Sequence, residues 1–487
     1  MKLKKNGVMA SKTISSPIVA ALWSFVQRIG GIAISFISNI ILARLLFPED
    51  FGIIGLIVVF SSLADTLVDA GLGSALIQKK NISKQDISTV FTTNVFFSLL
   101  LFTIIFITAP FIADFVGVEG FDLYLRVQVL TILLRALYVV EFSILNRDLR
   151  FKDLATINMV SSFLSLGFGI SFAYMGYGVW SLIIKNIALQ IFLVILYKYF
   201  IRVSVSFSFN KKSFWQLFNF GGYVSLTYLL DFVYSNIVTL LLGKKYSVKD
   251  LGYYTQANSL RQIPINTLSL VVGQVMFPFF SKFQNDNQRV IETMRKTVLL
   301  ISFFIFPILF FLILFAEPII VLLFSDRWLP SVKIFQILCV GGFVNALIHA
   351  NRSVLKSLGY SKVLFLAQVI SILIGFVLLI IGLNYSLSIL LTLIVLNSFL
   401  NFLILATFVH AKIGYKLWLQ IKDLLLNFFL SVFVLIAIFI LSKYIVLNTF
   451  LYLTINLFVF AFIYLLFHFT LNTSSFILIK EIFIKKK

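Results

Sequence analysis

The chain has 487 residues, a formal net charge of +21 and one cysteine, Cys339. With 60% hydrophobic residues, 12% charged residues and a mean hydropathy of +1.03, it has too little polar surface to cover a water-soluble globule and reads as a protein of the bilayer. A lone cysteine excludes an intrachain disulfide and a thiolate metal cluster.

Fourteen apolar runs of roughly 18 to 28 residues, each long enough to cross about 30 Å of hydrocarbon, follow one another along the chain. They centre near Phe36, Phe60, Leu101, Leu134, Leu166, Ile191, Tyr228, Leu268, Phe306, Val344, Leu373, Val395, Ile436 and Phe458. The expected fold class is an all-α polytopic membrane protein, about 14 transmembrane helices arranged as two six-helix lobes plus a C-terminal helix pair. The first run follows Lys2, Lys4, Lys5 and Lys12, yet it is too long for a secretory signal, carries Arg28 and lacks a small-x-small cleavage site. It reads as an uncleaved first span.

The expected parts, in order, are a basic cytoplasmic N-terminus (1–13), a first six-helix lobe (14–200) and a cytoplasmic inter-lobe linker (201–213). A second six-helix lobe (214–410), an interfacial segment (411–422), a helix pair (423–471) and a basic C-terminal tail (472–487) complete the chain. In the linker, Arg202-Val-Ser-Val-Ser-Phe-Ser-Phe alternates polar and apolar residues, which suggests an extended or interfacial strand. Between Lys412 and Lys422, lysines and aromatic residues are spaced for a helix lying in the headgroup region.

The halves share a repeat. Arg44-Leu-Leu-Phe-Pro-Glu-Asp50-Phe-Gly52 returns as Lys244-Lys-Tyr-Ser-Val-Lys-Asp250-Leu-Gly252, each time between two long apolar runs. A basic residue should close one helix and the Asp-x-Gly should open the next. Each half begins on the same side of the membrane, so the lobes would be parallel copies about an axis along the membrane normal.

Alternate connections differ in charge. One set carries the lysines of the N-terminus, Lys79, Lys80 and Lys84, Arg147, Arg150 and Lys152, Lys198 and Arg202, Lys211 and Lys212, Lys282, Arg289, Arg295 and Lys296, Lys356 and Lys362, Lys412, Lys416 and Lys422, and the C-terminal lysines. The other set has far fewer: Arg44, Lys244, Lys245 and Lys249, Arg327, Lys333 and Lys443. The bias puts both termini in the cytoplasm, although the loop after the seventh span runs against it. The high net charge is thus largely topological and requires no nucleic-acid partner.

Ten charged residues remain in or beside the spans: Arg28, Arg126, Arg135, Lys185, Arg261 and Arg352, with Asp65, Asp69, Glu141 and Asp231. Arg126, near a span end, can reach the headgroups. The other nine, at about 3 kcal/mol each in hydrocarbon, would together exceed a typical net folding free energy of about 5 to 15 kcal/mol, so most must face protein or water. One reading makes them interhelical pairs. The other makes them the lining of a polar cavity between the lobes, which the polar and small neighbours in Gln27-Arg28-Ile-Gly30-Gly31 and Asn258-Ser-Leu-Arg261-Gln262 favour.

Asp65 and Asp69 share a helix face at i,i+4 and repel unless a cation or proton lies between them, which makes them ion-coupling candidates; Asp69 would equally cap the break at Gly71-Leu-Gly73. Glu141 and Asp231 are the other candidates for a proton or cation. His349, His410 and His468 have no ligand-spaced partners, and no Gly-rich phosphate loop with Lys-Ser/Thr is present, so neither a metal centre nor ATP hydrolysis is expected. The longest outer connection, about 316–333, is short for a membrane-embedded enzyme.

Leu42-Ala-Arg44-Leu-Leu-Phe-Pro48-Glu-Asp50-Phe-Gly52 and Asp69-Ala-Gly71-Leu-Gly-Ser-Ala75-Leu-Ile-Gln78 resemble the N-terminal signature of bacterial polysaccharide-repeat flippases. These are the Wzx-type members of the multidrug/oligosaccharidyl-lipid/polysaccharide exporter superfamily. Leu251-Gly-Tyr-Tyr-Thr-Gln-Ala257-Asn-Ser-Leu-Arg261-Gln-Ile-Pro264 and Val275-Met-Phe-Pro278-Phe-Phe-Ser281 look like the corresponding eighth span and its exit. The resemblance covers the chain, is strongest over 12–290 and is nearest to the subgroup of colanic-acid and teichuronic-acid exporters.

The resemblance implies a V-shaped pair of six-helix lobes, alternating access in the bacterial cytoplasmic membrane, and a cationic cavity for an undecaprenyl-diphosphate-linked oligosaccharide. Arg28 and Arg261 fall at places resembling the cavity arginines of lipid-linked sugar flippases, with Arg135, Lys185 and Arg352 as further candidates. Arginine's fork suits a diphosphate that cannot cross hydrocarbon bare. Implied partners are the lipid-linked oligosaccharide, membrane lipids, and the polysaccharide polymerase with its chain-length machinery. No enzymatic activity or cofactor is implied; a proton or sodium gradient would drive transport. The alternatives are an organic-cation exporter of the same superfamily, which would want an acidic, aromatic cavity, a membrane-embedded polymerase or glycosyltransferase, and a non-transporting scaffold.

Overall fold

The computed structural model describes residues 17–69, 72–79, 82–201, 203, 206–283, 286–442 and 448–484, and every regular element among them is a helix. The chain divides into two compact units, Met1–Gly252 and Tyr253–Lys487. The first contains α1 (Pro17–Leu45), α2 (Pro48–Asp69), α3 (Leu72–Gln78), α4 (Lys84–Val116), α5 (Phe121–Gln128), α6 (Leu130–Ala136), α7 (Val139–Arg147), α8 (Phe151–Tyr174), α9 (Val179–Phe200) and α10 (Lys211–Lys245). Helix α11 (Val248–Lys282) starts in the first unit and runs into the second. There follow α12 (Asn287–Leu314), α13 (Ala316–Phe324), a 3-10 turn (Asp326–Trp328), α14 (Ser331–Ser357), α15 (Ser361–Gly382), α16 (Leu387–Ile413), α17 (Leu417–Ser442), α18 (Thr449–Thr470) and α19 (Ser474–Ile484).

Each of the fourteen apolar centres read from the sequence falls inside a helix. Ten helices among the described residues are long and apolar enough to cross a membrane. The run around Leu134 is broken: α5 and α6 meet α7 at a 46° bend, with Tyr138 outside helical geometry at the joint. Outward faces are apolar, as lipid requires. Phe111 and Phe458 are 73% and 75% exposed.

The repeat builds two matching corners. Arg44 closes α1, Pro48 takes a first helical position that needs no N–H donor, and the Phe47 amide donates to Asp50 at 2.9 Å. Lys244 and Lys245 close α10, and Ser247 and Asp250 exchange a capping box, with the Asp250 amide 3.0 Å from Ser247 Oγ and the Ser247 amide 3.3 Å from the Asp250 carboxylate. The corners meet. A Cβ on Gly52 would lie 2.0 Å from the Val248 carbonyl oxygen, and one on Gly252 would lie 1.8 Å from that of Pro48, so only glycine lets the backbones approach this closely.

In the first unit α8 packs between α1 and α9. Ser161, Ser165, Gly169 and Ala173 recur every fourth residue and are all buried, a small-residue stripe that permits close approach. In the second unit α12 packs on α14 and α17, and α14 on α16.

The division into units falls at Gly252, within α11, and α10 packs against α2, α3 and α4. Residues 206–210 form no strand. They lie along α4, where Ser206 meets Ser88 at 3.0 Å, the Ser208 carbonyl accepts from Thr92 and the Asn210 amide donates to Thr89 at 3.1 Å. The segment 411–422 is not a separate interfacial helix: α16 continues to Ile413, Gly414 turns at φ 90°, and α17 resumes at Leu417. Within the basic C-terminal tail, 474–484 form α19, which packs on α12.

Candidate functional site

On α1, Gly30 packs against α8, its would-be Cβ only 2.7 Å from Met159 Cε. Arg28 stands about 200° around the helix from Gly30, on the face away from that contact. It is exposed, with no ion pair or hydrogen bond to any described residue. Gly31 and Ser35 continue the same face, and nothing lies within 4 Å of a Cβ placed on Gly31. The sequence Gln27-Arg28-Ile-Gly30-Gly31 thus folds into one packed side and one open polar side.

Lys185 is half-buried on α9, and its stem lies against Gly169 of α8, 3.1 Å from a Cβ placed there. Among the described residues its ammonium has no partner. Arg135 is half-buried on α6, two residues before the break.

In the second unit Arg261 on α11 is held in one orientation. Its Nη1 donates to the Leu338 carbonyl at 3.2 Å, its Nη2 donates to Asn258 Oδ1 at 3.0 Å, and Gly341 leaves the room that Nη1 occupies. Its Nε is buried without an acceptor, and no carboxylate among the described residues pairs with it. A guanidinium held only by neutral groups is left with a donor unsatisfied. Arg352 on α14 donates to Gln368 Oε1 of α15.

Of the four carboxylate candidates, the side chains of Asp65, Asp69 and Asp231 lie outside the described residues. Glu141 is fully buried on α7. It pairs with Lys198 at the end of α9 and with none of the five candidate cations. In the sequence Lys198 stands among the inner-loop charges, and the 57-residue separation leaves no local pattern that links it to Glu141. Asn258, three residues before Arg261, was visible in the sequence as a helical neighbour. Among the described residues no cluster of His, Cys, Asp or Glu is arranged to hold a metal ion.

The pattern that defines the polysaccharide biosynthesis protein family matches residues 41–333, more than half of the chain. The chain belongs to that family. Relatives that resemble it include the teichuronic acid biosynthesis protein TuaB of Bacillus subtilis, 25% identical over 62% of this chain and 63% of that protein. The chain therefore aligns with somewhat less than two-thirds of that relative. The succinoglycan biosynthesis transport protein ExoT of Rhizobium meliloti is 25% identical over 70% of this chain and 69% of its own length. The lipopolysaccharide biosynthesis protein WzxC of Escherichia coli K12 is 23% identical over 72% and 70%.

Among solved structures, the lipid II flippase MurJ in an inward closed conformation matches with a TM-score of 0.76 at 19% identity, covering 94% of this chain and all of that one. An inward-facing multidrug resistance transporter of the MATE family matches at 0.60 and 15% identity, over 82% and 98%. The family member described here thus shares its fold with a lipid flippase and with multidrug transporters, and it is a multi-pass membrane protein.

Proposed function

We propose that this protein flips an undecaprenyl-diphosphate-linked oligosaccharide from the inner to the outer leaflet of the bacterial cytoplasmic membrane, by alternating access and without catalysis. In this reading it has fourteen spans, as two six-helix lobes and a C-terminal pair, with both termini in the cytoplasm. Arg28 and Arg261 receive the diphosphate, Lys185, Arg135 and Arg352 extend the cationic path, and a proton or sodium gradient resets the cycle through membrane carboxylates. Binding of the headgroup biases the inward-open and outward-open populations.

The observation that supports it most directly is charge imbalance. Arg28 and Lys185 lie in helices apolar enough to cross a membrane, Arg261 lies on α11, and none of the three has a carboxylate partner among the described residues. At about 3 kcal/mol each, unpaired cations are not retained in hydrocarbon without water or an anion to face. A drug exporter for organic cations would need the opposite sign. The test is surface polysaccharide in cells carrying Arg28→Ala or Arg261→Ala at normal expression: loss of polymer supports the assignment, and wild-type polymer from both variants overturns it.

A further inference from the structure

Within that transport reading, we propose that Glu141 and Lys198 form a cation-operated switch, in which a proton, or an alkali cation in its place, binds the free carboxylate oxygen of Glu141 and dissolves the ion pair with Lys198. Glu141 is fully buried, and its Oε1 accepts from Lys198 Nζ while its Oε2, also buried, has no hydrogen-bond partner. A pair serving structure alone would satisfy both oxygens, because a buried carboxylate oxygen left bare is costly.

The two partners are unequal. Glu141 cannot reach water, whereas the Lys198 side chain is 41% exposed and its Nζ lies 5.7 Å from the Phe91 ring centroid. When a proton adds to Oε2 no covalent bond breaks, the Lys198–Glu141 ion pair is lost, Lys198 keeps its own proton, and the site gains one positive charge. Lys198 is then free to move into solvent. The element this loosens is α7, nine residues long and set off by the 46° break, the kind of discontinuous helix that serves ion sites in transporters.

Other charges lie around α7. Asp86 at the start of α4 holds Lys79 at 2.8 Å beyond α3, and Asp153 on α8 holds Arg150 at 2.5 Å. Lys152 of α8 faces Trp23 at 5.6 Å, while Arg135 on α6, Arg147 on α7 itself, Lys84 on α4 and Lys185 on α9 add positive charge. No second carboxylate among the described residues competes for Lys198.

The test is pH-difference infrared spectroscopy of the full chain in phosphatidylethanolamine–phosphatidylglycerol vesicles, with protons and NaCl as the only added ligands. The expected result is a protonated-carboxyl band that grows as pH falls and is absent from Glu141→Gln. In Lys198→Gln its midpoint should rise by about one pH unit or more, tenfold in proton affinity, because the stabilising cation is gone. Replacing choline chloride by NaCl lowers the midpoint if sodium is the natural occupant and leaves it in place if the proton is; either result supports the switch and names its ion. No titrating band in the wild type, a band unchanged in Glu141→Gln, or a midpoint unmoved in Lys198→Gln overturns it. The band reads ion binding without substrate, so its failure is distinct from failure of the flippase reading.

Discussion

Gly52 and Gly252 face one another's helices in reciprocal register, each pressed against a carbonyl that opens the other's helix: Val248 for the first, Pro48 for the second. The duplicated Asp-x-Gly is therefore a mutual contact as well as a repeated corner. Lys249 and Glu49 span the same crossing at 3.3 Å, but both are about half-exposed and such a pair contributes little.

Alanine at either glycine must push one backbone off the other. Gly52→Ala and Gly252→Ala should each destabilise the detergent-solubilised protein by about 1–3 kcal/mol or more. Gly31→Ala, with open space around its Cβ, should be neutral or slightly stabilising. Thermal unfolding of the three variants checks this; equal midpoints would refute the crossing.

The second unit has a polar anchor at the joint of α16 and α17. Arg295 of α12 grips Asp423 with two bonds of 2.9 and 2.8 Å, and Tyr415 donates to the same carboxylate at 2.7 Å. Burial, and then the bond to Asp423, push the Tyr415 phenol above its ordinary range. A raised folded value means that its stabilising contribution is whole below about pH 10 and lost as pH rises beyond it. Tyr415→Phe should cost about 0.5–1.5 kcal/mol at neutral pH and make the protein less sensitive to alkali. Unfolding midpoints followed from pH 8 upward test both signs.

Asn427, fully buried on α17, ties that helix to two others. It donates to the Leu299 carbonyl at 3.1 Å and to Ser302 Oγ at 2.6 Å on α12, and it accepts from Ser475 on α19 at 3.1 Å. Asn427→Ala leaves these groups buried and unpaired and should cost about 1–3 kcal/mol. Adding Ser475→Ala to it should cost less than the two single losses combined, because the partners are shared. A double-mutant cycle on thermal stability decides the matter.

Arg261 should not tolerate lysine. An ammonium cannot reach Leu338 and Asn258 together and still present a planar donor edge, so Arg261→Lys should lose at least about tenfold in transport, about 1.4 kcal/mol, while keeping the charge. Rescue by lysine of an Arg261→Ala defect would instead mean that charge alone is needed. The measurement is initial polymer output at matched expression.

Much of this was legible beforehand for a physical reason: a span must be apolar over its whole length, so the helices announce themselves and every predicted centre lies in one. The corner at Gly52 was legible as a repeat but not as a contact, because reciprocity is a property of two distant segments. Breaks inside apolar stretches were harder. Nothing in Leu137-Tyr138 advertises the bend before α7, and the turn at Gly414 divides the segment expected to lie in the interface between α16 and α17. Cations could be listed but not partnered, since Arg352 finds Gln368 and Glu141 finds Lys198 across helices.

The central claim concerns direction across the bilayer, and the most direct measurement is the leaflet distribution of lipid-linked oligosaccharide in cells depleted of this protein while the downstream polymerase is intact. The account predicts that completed units accumulate facing the cytoplasm. Accumulation on the outer face would contradict it and place the protein after translocation.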